Sequence, residues 1–204
     1  VEESHGFDNR SLGDQRLLLA KALTELDNAG AKRIIINEYL DQPSTPEADT
    51  RLGEAIARLR RPVIAVLEVF PANDGPMTER PAGWLPALSL HAETFPVVRE
   101  DPPLPQLRKN ILYGNALTYS LFRSPKGSMS PWLQTRQGVI PPVAALATGA
   151  TRHFDTVTPV NPTIDGDAVE RLSLLDVASG RFPREKVAGR LIIVSQTDSA
   201  GVGA

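Results

Sequence analysis

Two observations predict an α/β fold with a mostly parallel central sheet, helices on both faces and one proline-rich irregular excursion. The first is a set of short apolar runs in strands predicted over residues 33–36, 63–67 and 191–194, of which the first run follows Arg33. Strands that are covered on both faces have this pattern. The second is that helical segments alternate with these runs at short joints, as in parallel βαβ packing. At 204 residues, 41% of them hydrophobic, the chain suits a single domain over residues 1–204.

The two predicted helices near the start of the chain follow from apolar spacing and cap residues. Asn28-Ala29-Gly30 supplies the stop of the first helix, over residues 14–28. Ser44, with Glu47 three residues later, predicts a capping box for a second helix that extends to about Arg60. Three leucines define the inner face of the first helix at i, i+4 and i+7: Leu19, Leu23 and Leu26.

Proline dominates the middle of the sequence. Eight of the 18 prolines lie in residues 71–105, and proline neither donates to a β-ladder nor continues a helix. We therefore expect an ordered but irregular excursion over the core. The rest of the chain predicts a strand over 111–122, a short helix from 141 to a stop at 149, a strand over 154–160, and a helix capped by Ser173 and Asp176 that stops at 180.

Composition limits the classes of function. The 22 Lys and Arg against 24 Asp and Glu give a net charge of −2, so nucleic acid is not an expected partner. The densest basic cluster, Arg58, Arg60 and Arg61, suits the negative end of a helix dipole. The absence of Cys excludes disulfides, thiolate catalysis and Cys-ligated zinc. No apolar run reaches the length of about 18 residues typical of a membrane-spanning helix.

Residue patterns for catalysis are weak. His153 and Asp155 could form a base with an orienting carboxylate, but no Gly-x-Ser-x-Gly elbow accompanies them, so a surface ion pair is the simpler interpretation. Gly201 and Gly203 follow the last strand, whereas a dinucleotide fingerprint lies on the first. Residues 161–167 lack calcium-loop spacing and fit a tight turn. No catalytic residue, metal site or cofactor is predicted; a small hydrolase or nucleotide-binding enzyme stays the alternative.

Short motifs follow one another in a particular order through the last third of the chain. They are Ser173-Leu174-Leu175-Asp176-Val177, Gly180-Arg181, Pro183, Gly189-Arg190, Leu191-Ile192-Ile193-Val194 and Ser199-Ala200-Gly201-Val202-Gly203. This order resembles the closing segment of the CHASE2 domain family. Earlier matches fall in the family's order as well: Leu12, Ala29-Gly30-Ala31, Ile34-Ile35-Ile36, the helix over 52–59, and Leu104-Pro105-Gln106-Leu107 ahead of Gly114-Asn115 and Arg123.

The chain departs from the family pattern at three places. Gly13-Asp14-Gln15-Arg16 stands where the family has Trp-Pro-Trp-Pro-Arg, Asn37 stands where it has Asp at a strand end, and no Asp-Gly precedes Arg123. The chain is therefore identified as a divergent member, with roles of those polar groups not carried over.

The resemblance implies a sensor domain on the extracytoplasmic side of a bacterial membrane, with no enzymatic activity of its own. The family places such domains between transmembrane helices, with histidine kinases, nucleotide cyclases or Ser/Thr kinases as cytoplasmic outputs. It implies a small-molecule or protein ligand of unknown identity and a homodimer in the intact receptor. A protein-interaction module that binds no small molecule is a further alternative, with residues 71–105 as its docking segment.

The expected ligand site is the carboxyl edge of the sheet, since ligands of open α/β sheets bind beyond the carboxyl ends of strands. We predict ligand contacts from four polar residues at the ends of the predicted strands: Asn37, Asp41, Glu68 and Thr197.

Overall fold

The computed structural model describes residues 10–38, 40–67, 69–71, 98–100, 103–115, 133–134, 139–149 and 169–195. Backbone contacts divide the chain into two compact units. The first unit comprises residues 1–63, 103–110 and 172–204, and the second comprises 64–102 and 111–171. The α-helices and strands of the described residues are α1 (Leu12–Asn28), β1 (Arg33–Asn37), α2 (Pro46–Arg58), β2 (Val63–Leu67), β3 (Val69–Pro71), β4 (Val98–Glu100), β5 (Ile111–Asn115), β6 (Leu133–Gln134), β7 (Val139–Ile140), α3 (Val143–Thr148), α4 (Leu174–Ala178) and β8 (Leu191–Ser195).

A four-stranded parallel sheet with the order β5-β2-β1-β8 is the centre of the fold. It contains all three apolar runs predicted as strands, so the predicted α/β class is confirmed. β1 and β8 pair in register, with Ile34 opposite Ile192 and Ile36 opposite Val194. In the first unit α1 packs against both α2 and α4, and in the second α3 packs against β5. Two short antiparallel pairs, β3-β4 and β6-β7, accompany the sheet.

The expectation that residues 191–194 form a buried strand is corrected by the exposure of β8. Leu191 is 46% exposed and Ile193 is 61% exposed, whereas Val194 is buried. The strand lies at the end of the sheet order, and on β1 the partner of Ile193, Ile35, is buried. An apolar run therefore identified a strand correctly but did not reveal that its position at the sheet edge leaves one face uncovered.

Cap chemistry sets the helix boundaries. α1 begins two residues earlier than predicted because the Ser11 hydroxyl accepts a hydrogen bond from the Asp14 backbone N–H. The predicted cap of α2 at Ser44 is wrong, since Thr45 caps this helix by accepting from the Ala48 N–H. The helix ends at Arg58, before the predicted Arg60, where the backbone becomes extended at Leu59 (ψ 141°).

The later elements agree with the sequence where the structure describes them. α3 ends at Gly149, in the left-handed conformation (φ +73°), as predicted. α4 follows Ser173, although the Ser173 side chain makes no capping hydrogen bond. β5 ends at Asn115; the rest of the strand predicted over 111–122 and the whole of that over 154–160 lie outside the described residues. In the proline-rich segment, β3 and β4 flank residues 72–97, which also lie outside them.

Candidate functional site

The carboxyl edge of the β1-β8 pair brings two polar side chains together. Asn37 ends β1 and Ser195 ends β8, and the two residues are direct partners in the strand register. Both are exposed. A carboxamide and a hydroxyl side by side offer donors and acceptors of hydrogen bonds to a polar ligand. The structure thus places Asn37 at the predicted edge, with Ser195 beside it.

Of the other three predicted site residues, the structure describes only Asp41. Asp41 lies in the loop after β1 and is half-buried. The neighbouring Leu40 is buried, and its carbonyl accepts a hydrogen bond of 2.9 Å from the Leu104 backbone N–H. Glu68 and Thr197 lie outside the described residues. Ligand contact by these four residues stays a prediction, with Asn37 and Asp41 on the same loop-bearing edge.

A buried ion pair lies behind this loop. Arg16 of α1 and Asp49 of α2 are each 2% exposed, with 3.2 Å between Arg16 Nε and Asp49 Oδ1. Arg16 Nη2 also donates to the Gln42 carbonyl oxygen at 2.7 Å. Ser44 donates twice to the Asp49 carboxylate, from its hydroxyl to Oδ1 at 2.7 Å and from its backbone N–H to Oδ2 at 3.0 Å. One buried charge pair therefore fixes α1, α2 and the loop after β1.

The charge state of Arg16 reflects this environment. Burial lowers the pKa of the Arg16 guanidinium, and the carboxylates of Asp49 and Asp41 act in the opposite direction. Arginine starts from so high a pKa that it keeps its proton at neutral pH. Asp41 thus contributes to the electrostatics of the buried pair as well as to the loop surface. A change in the environment of Asp41 would therefore alter the electrostatic environment of the Arg16 guanidinium.

The Arg16–Asp49 pair was not among the residues predicted from the sequence, although the sequence contains a pattern that indicates it. Arg16 lies three residues before Leu19, on the apolar stripe of α1. Asp49 lies three residues before Leu52, on the inner stripe of α2. A charged side chain on an apolar helical stripe must find a partner, because an unpaired buried charge is costly. Two such charges of opposite sign on neighbouring helices predict an ion pair.

α1 begins and β8 ends at this same edge of the first unit. A Cβ at Gly13, near the start of α1, would lie 3.3 Å from the Thr45 side chain, in the loop after β1. At the other end of α1, the Gly30 carbonyl accepts from the Gly189 N–H, just before β8 begins. α1 therefore runs antiparallel to β1 and β8. Its first residue and the last residue of β8 lie at one edge of the unit.

Comparisons with protein-family models, with curated proteins and with solved structures gave no match. Within the described ranges, no three or more Asp, Glu or His side chains group as ligands for a metal ion. In the same part of the chain, no helix has both the length and the apolarity to cross a membrane.

Proposed function

We propose that this chain is a CHASE2-like, extracytoplasmic ligand-sensing domain of a membrane-anchored bacterial receptor, with no chemistry of its own. The order of motifs from Leu12 to Gly203 supports the assignment to the family. The observation that carries the sensing role is the buried Arg16–Asp49 pair behind the carboxyl edge. It connects the loop on which a ligand would bind to the first turns of α1.

The route of the signal follows from these contacts. A ligand at Asn37 and Asp41 would change the position or the charge environment of the loop after β1. Gln42 and Ser44 in that loop bond directly to the ion pair. Because Arg16 lies in the first turns of α1, a shift of the loop would be transmitted to the start of this helix. A ligand can shift such an equilibrium only by its difference in affinity for the two positions.

The positions of the start of α1 and the end of β8 fit a tethered arrangement. α1 begins and β8 ends at the same edge of the first unit, so membrane helices on both flanks would attach at one side of the domain. A movement at this edge would then reach both membrane helices without passing through the rest of the unit. A receptor that works by population shift needs an element with two states, and the loop after β1 together with the start of α1 is the candidate we propose.

Thermal-shift screening of the full chain against metabolite pools tests the proposal. We expect at least one pool to raise the melting temperature, since a ligand at about 100 times its Kd adds about 2.7 kcal/mol to the native state. Asn37→Ala with Asp41→Asn should abolish that shift. The matched control, Asn28→Ala, changes an exposed residue at the opposite end of α1 and should keep it.

One result would contradict the proposed site, and two would contradict the sensing role. A shift that persists in the Asn37/Asp41 variant would place the ligand elsewhere. Turnover of ester, phosphoester or nucleotide substrates that is lost in His153→Ala would favour the enzyme alternative. Silence with every pool, together with capture of a protein that depends on residues 71–105, would favour the interaction module.

A further inference from the structure

A buried carboxamide ends β5. Asn115, the last residue of this strand, is 1% exposed. Its side-chain Nδ2 donates to the Ile140 carbonyl oxygen at 3.1 Å, and its backbone N–H donates to the Pro141 carbonyl oxygen at 2.9 Å. Because the donor Nδ2, and not the acceptor Oδ1, must face the Ile140 carbonyl, these bonds fix the orientation of the amide. The Asn115 side chain is therefore held in one position against the backbone that leads from β7 into α3.

The oxygen of this amide has no partner. In the part of the chain that the structure describes, no donor lies within hydrogen-bond distance of Asn115 Oδ1. Buried polar atoms are nearly always hydrogen-bonded, and an acceptor that is buried without a donor destabilises the native state. Asn115 Oδ1 thus lacks a donor that the described residues do not supply.

The position of Asn115 is one at which α/β proteins bind ligands. β5 and β2 are neighbours in the parallel sheet, so their last residues, Asn115 and Leu67, lie at the carboxyl edge. Both residues belong to the second unit. Ligands of open α/β sheets bind beyond this edge. A buried acceptor without a partner at such a place indicates a binding site.

The surroundings of Asn115 are apolar and uncharged. Asn115 forms a parallel bridge with Pro142, and a Cβ at Gly114 would lie 2.9 Å from the Val143 Cα. Residues 139–147, in the segment that packs against β5, include no polar or charged side chain. A cation bound to Asn115 Oδ1 would find no carboxylate in this segment, and an unpaired buried charge is costly. The site therefore suits a neutral donor.

A single buried water fits this oxygen less well. Such a water typically makes about three hydrogen bonds. Pro141 and Pro142 have no backbone N–H, and the carbonyl oxygens of Ile140, Pro141 and Pro142 each accept a hydrogen bond already. A water would find few further partners among these residues, whereas one hydroxyl or N–H group on an apolar molecule needs Oδ1 alone.

We propose that the carboxyl end of β5 binds a neutral, mostly apolar small molecule through one hydroxyl or amide N–H group, with Asn115 Oδ1 as the acceptor. Apolar contact supplies most of the affinity in such sites, and a single hydrogen bond fixes the orientation of the ligand. All residues of this site belong to the second unit. The inference is therefore independent of the ligand contacts proposed for Asn37 and Asp41, which belong to the first unit.

Nuclear magnetic resonance of the isotope-labelled full chain tests the proposal through the side-chain amide signals of Asn115. Two pairs of probes differ in the donor: cyclohexanol with cyclohexanone, and δ-valerolactam with its N-methyl derivative. We expect saturable shifts of the Asn115 signals with cyclohexanol and with the lactam. The partner without the donor should bind at least about tenfold more weakly, because it leaves Oδ1 unpaired. Cyclohexylammonium should also bind more weakly than cyclohexanol.

Two variants separate binding from stability. Asn115→Leu removes the acceptor at similar side-chain size and should abolish the shift of the Gly114 backbone amide by cyclohexanol. The control, Asn110→Gly, removes the carboxamide directly before the same strand, whose Nδ2 donates to the Ile56 and Leu59 carbonyl oxygens. Glycine suits its left-handed backbone (φ 58°). The control should lower the melting temperature and still bind cyclohexanol as the natural chain does. If Asn115→Leu does not fold, the probe pairs on the natural chain decide the proposal alone.

Several outcomes would overturn the proposal. They include the absence of any shift at millimolar probe concentration and equal binding of both members of each pair. Binding of cyclohexanol that persists in Asn115→Leu would reject Asn115 as the acceptor. Tighter binding of cyclohexylammonium would reject a site for neutral molecules. A long-lived water at the Asn115 amide that no probe displaces would show that Oδ1 binds a structural water only.

Discussion

At the scale of single residues, we expect the Arg16–Asp49 pair to have the largest effect on the free energy of unfolding. Both side chains are almost fully buried, at 3% and 4% exposure. Removal of one member leaves an uncompensated buried charge, whereas removal of both leaves an apolar interface between α1 and α2. The exposed pair Arg58–Glu54, at 79% and 47% side-chain exposure, is the natural contrast within the same helix.

Arg16→Met should destabilise the protein by about 3–5 kcal/mol, and Arg16→Met with Asp49→Leu should recover much of that loss. The control, Arg58→Gln with Glu54→Gln, should change the free energy of unfolding by less than about 1 kcal/mol. Urea unfolding curves measure the free energy of unfolding of all three variants. If Arg16→Met cost no more than the control, the ion pair would have no structural role.

At the scale of elements, close backbone approach decides how α2 packs. A Cβ at Gly53, in the middle of α2, would lie 2.5 Å from the Gln106 carbonyl oxygen in the 3-10 turn before β5. The glycine therefore sets the distance between helix and turn.

Gly53→Ala should destabilise the protein by about 1–3 kcal/mol through overpacking, although alanine is about 1 kcal/mol better than glycine inside a helix. Gly13→Ala in α1 is the comparison, because its Cβ would meet only the Thr45 and Ala48 side chains, at 3.3 Å and beyond. We expect a smaller change there. Thermal unfolding of both variants measures the difference, and a stabilised Gly53→Ala would contradict the close approach.

At the scale of the whole molecule, we propose a homodimer in the intact receptor, with α1 at the interface. α1 packs between α2 and α4, so only its outer stripe is available to a partner. Glu25, on the same helix, is half-buried and is therefore a poor position for a cross-link. Exposed residues recur along the outer stripe: Asp14, Lys21, Thr24 and Asn28.

Single Cys substitutions at Lys21 and Thr24 should give cross-linked dimers of the full-length receptor in membranes, in a background with no native Cys. Arg51→Cys, an exposed position on α2, is the control and should cross-link less. The isolated chain can dimerise weakly, because membrane helices raise the effective concentration. Absence of cross-links from every position on α1 would reject this interface. Monomers alone in light scattering of the solubilised receptor would reject the dimer.

The sequence by itself determined the fold class and most of the element positions, because apolar periodicity and cap residues act locally. The strand over 63–67 was predicted with the same first and last residues that the structure shows. The helix ends that were predicted for α1 and α2 lie within two residues of the observed ends. Asn37 was placed correctly at a strand end for the same reason. Its neighbour Ser195 follows from register, which depends on a strand more than 150 residues away along the chain.

Tertiary structure alone decided which residues act together. The apolar runs at 34–36 and 191–194 are similar in sequence, yet Ile35 is buried and Ile193 is exposed, because one strand is internal and the other ends the sheet. Arg16 and Asp49 lie far apart in sequence and meet because two apolar helical stripes face each other.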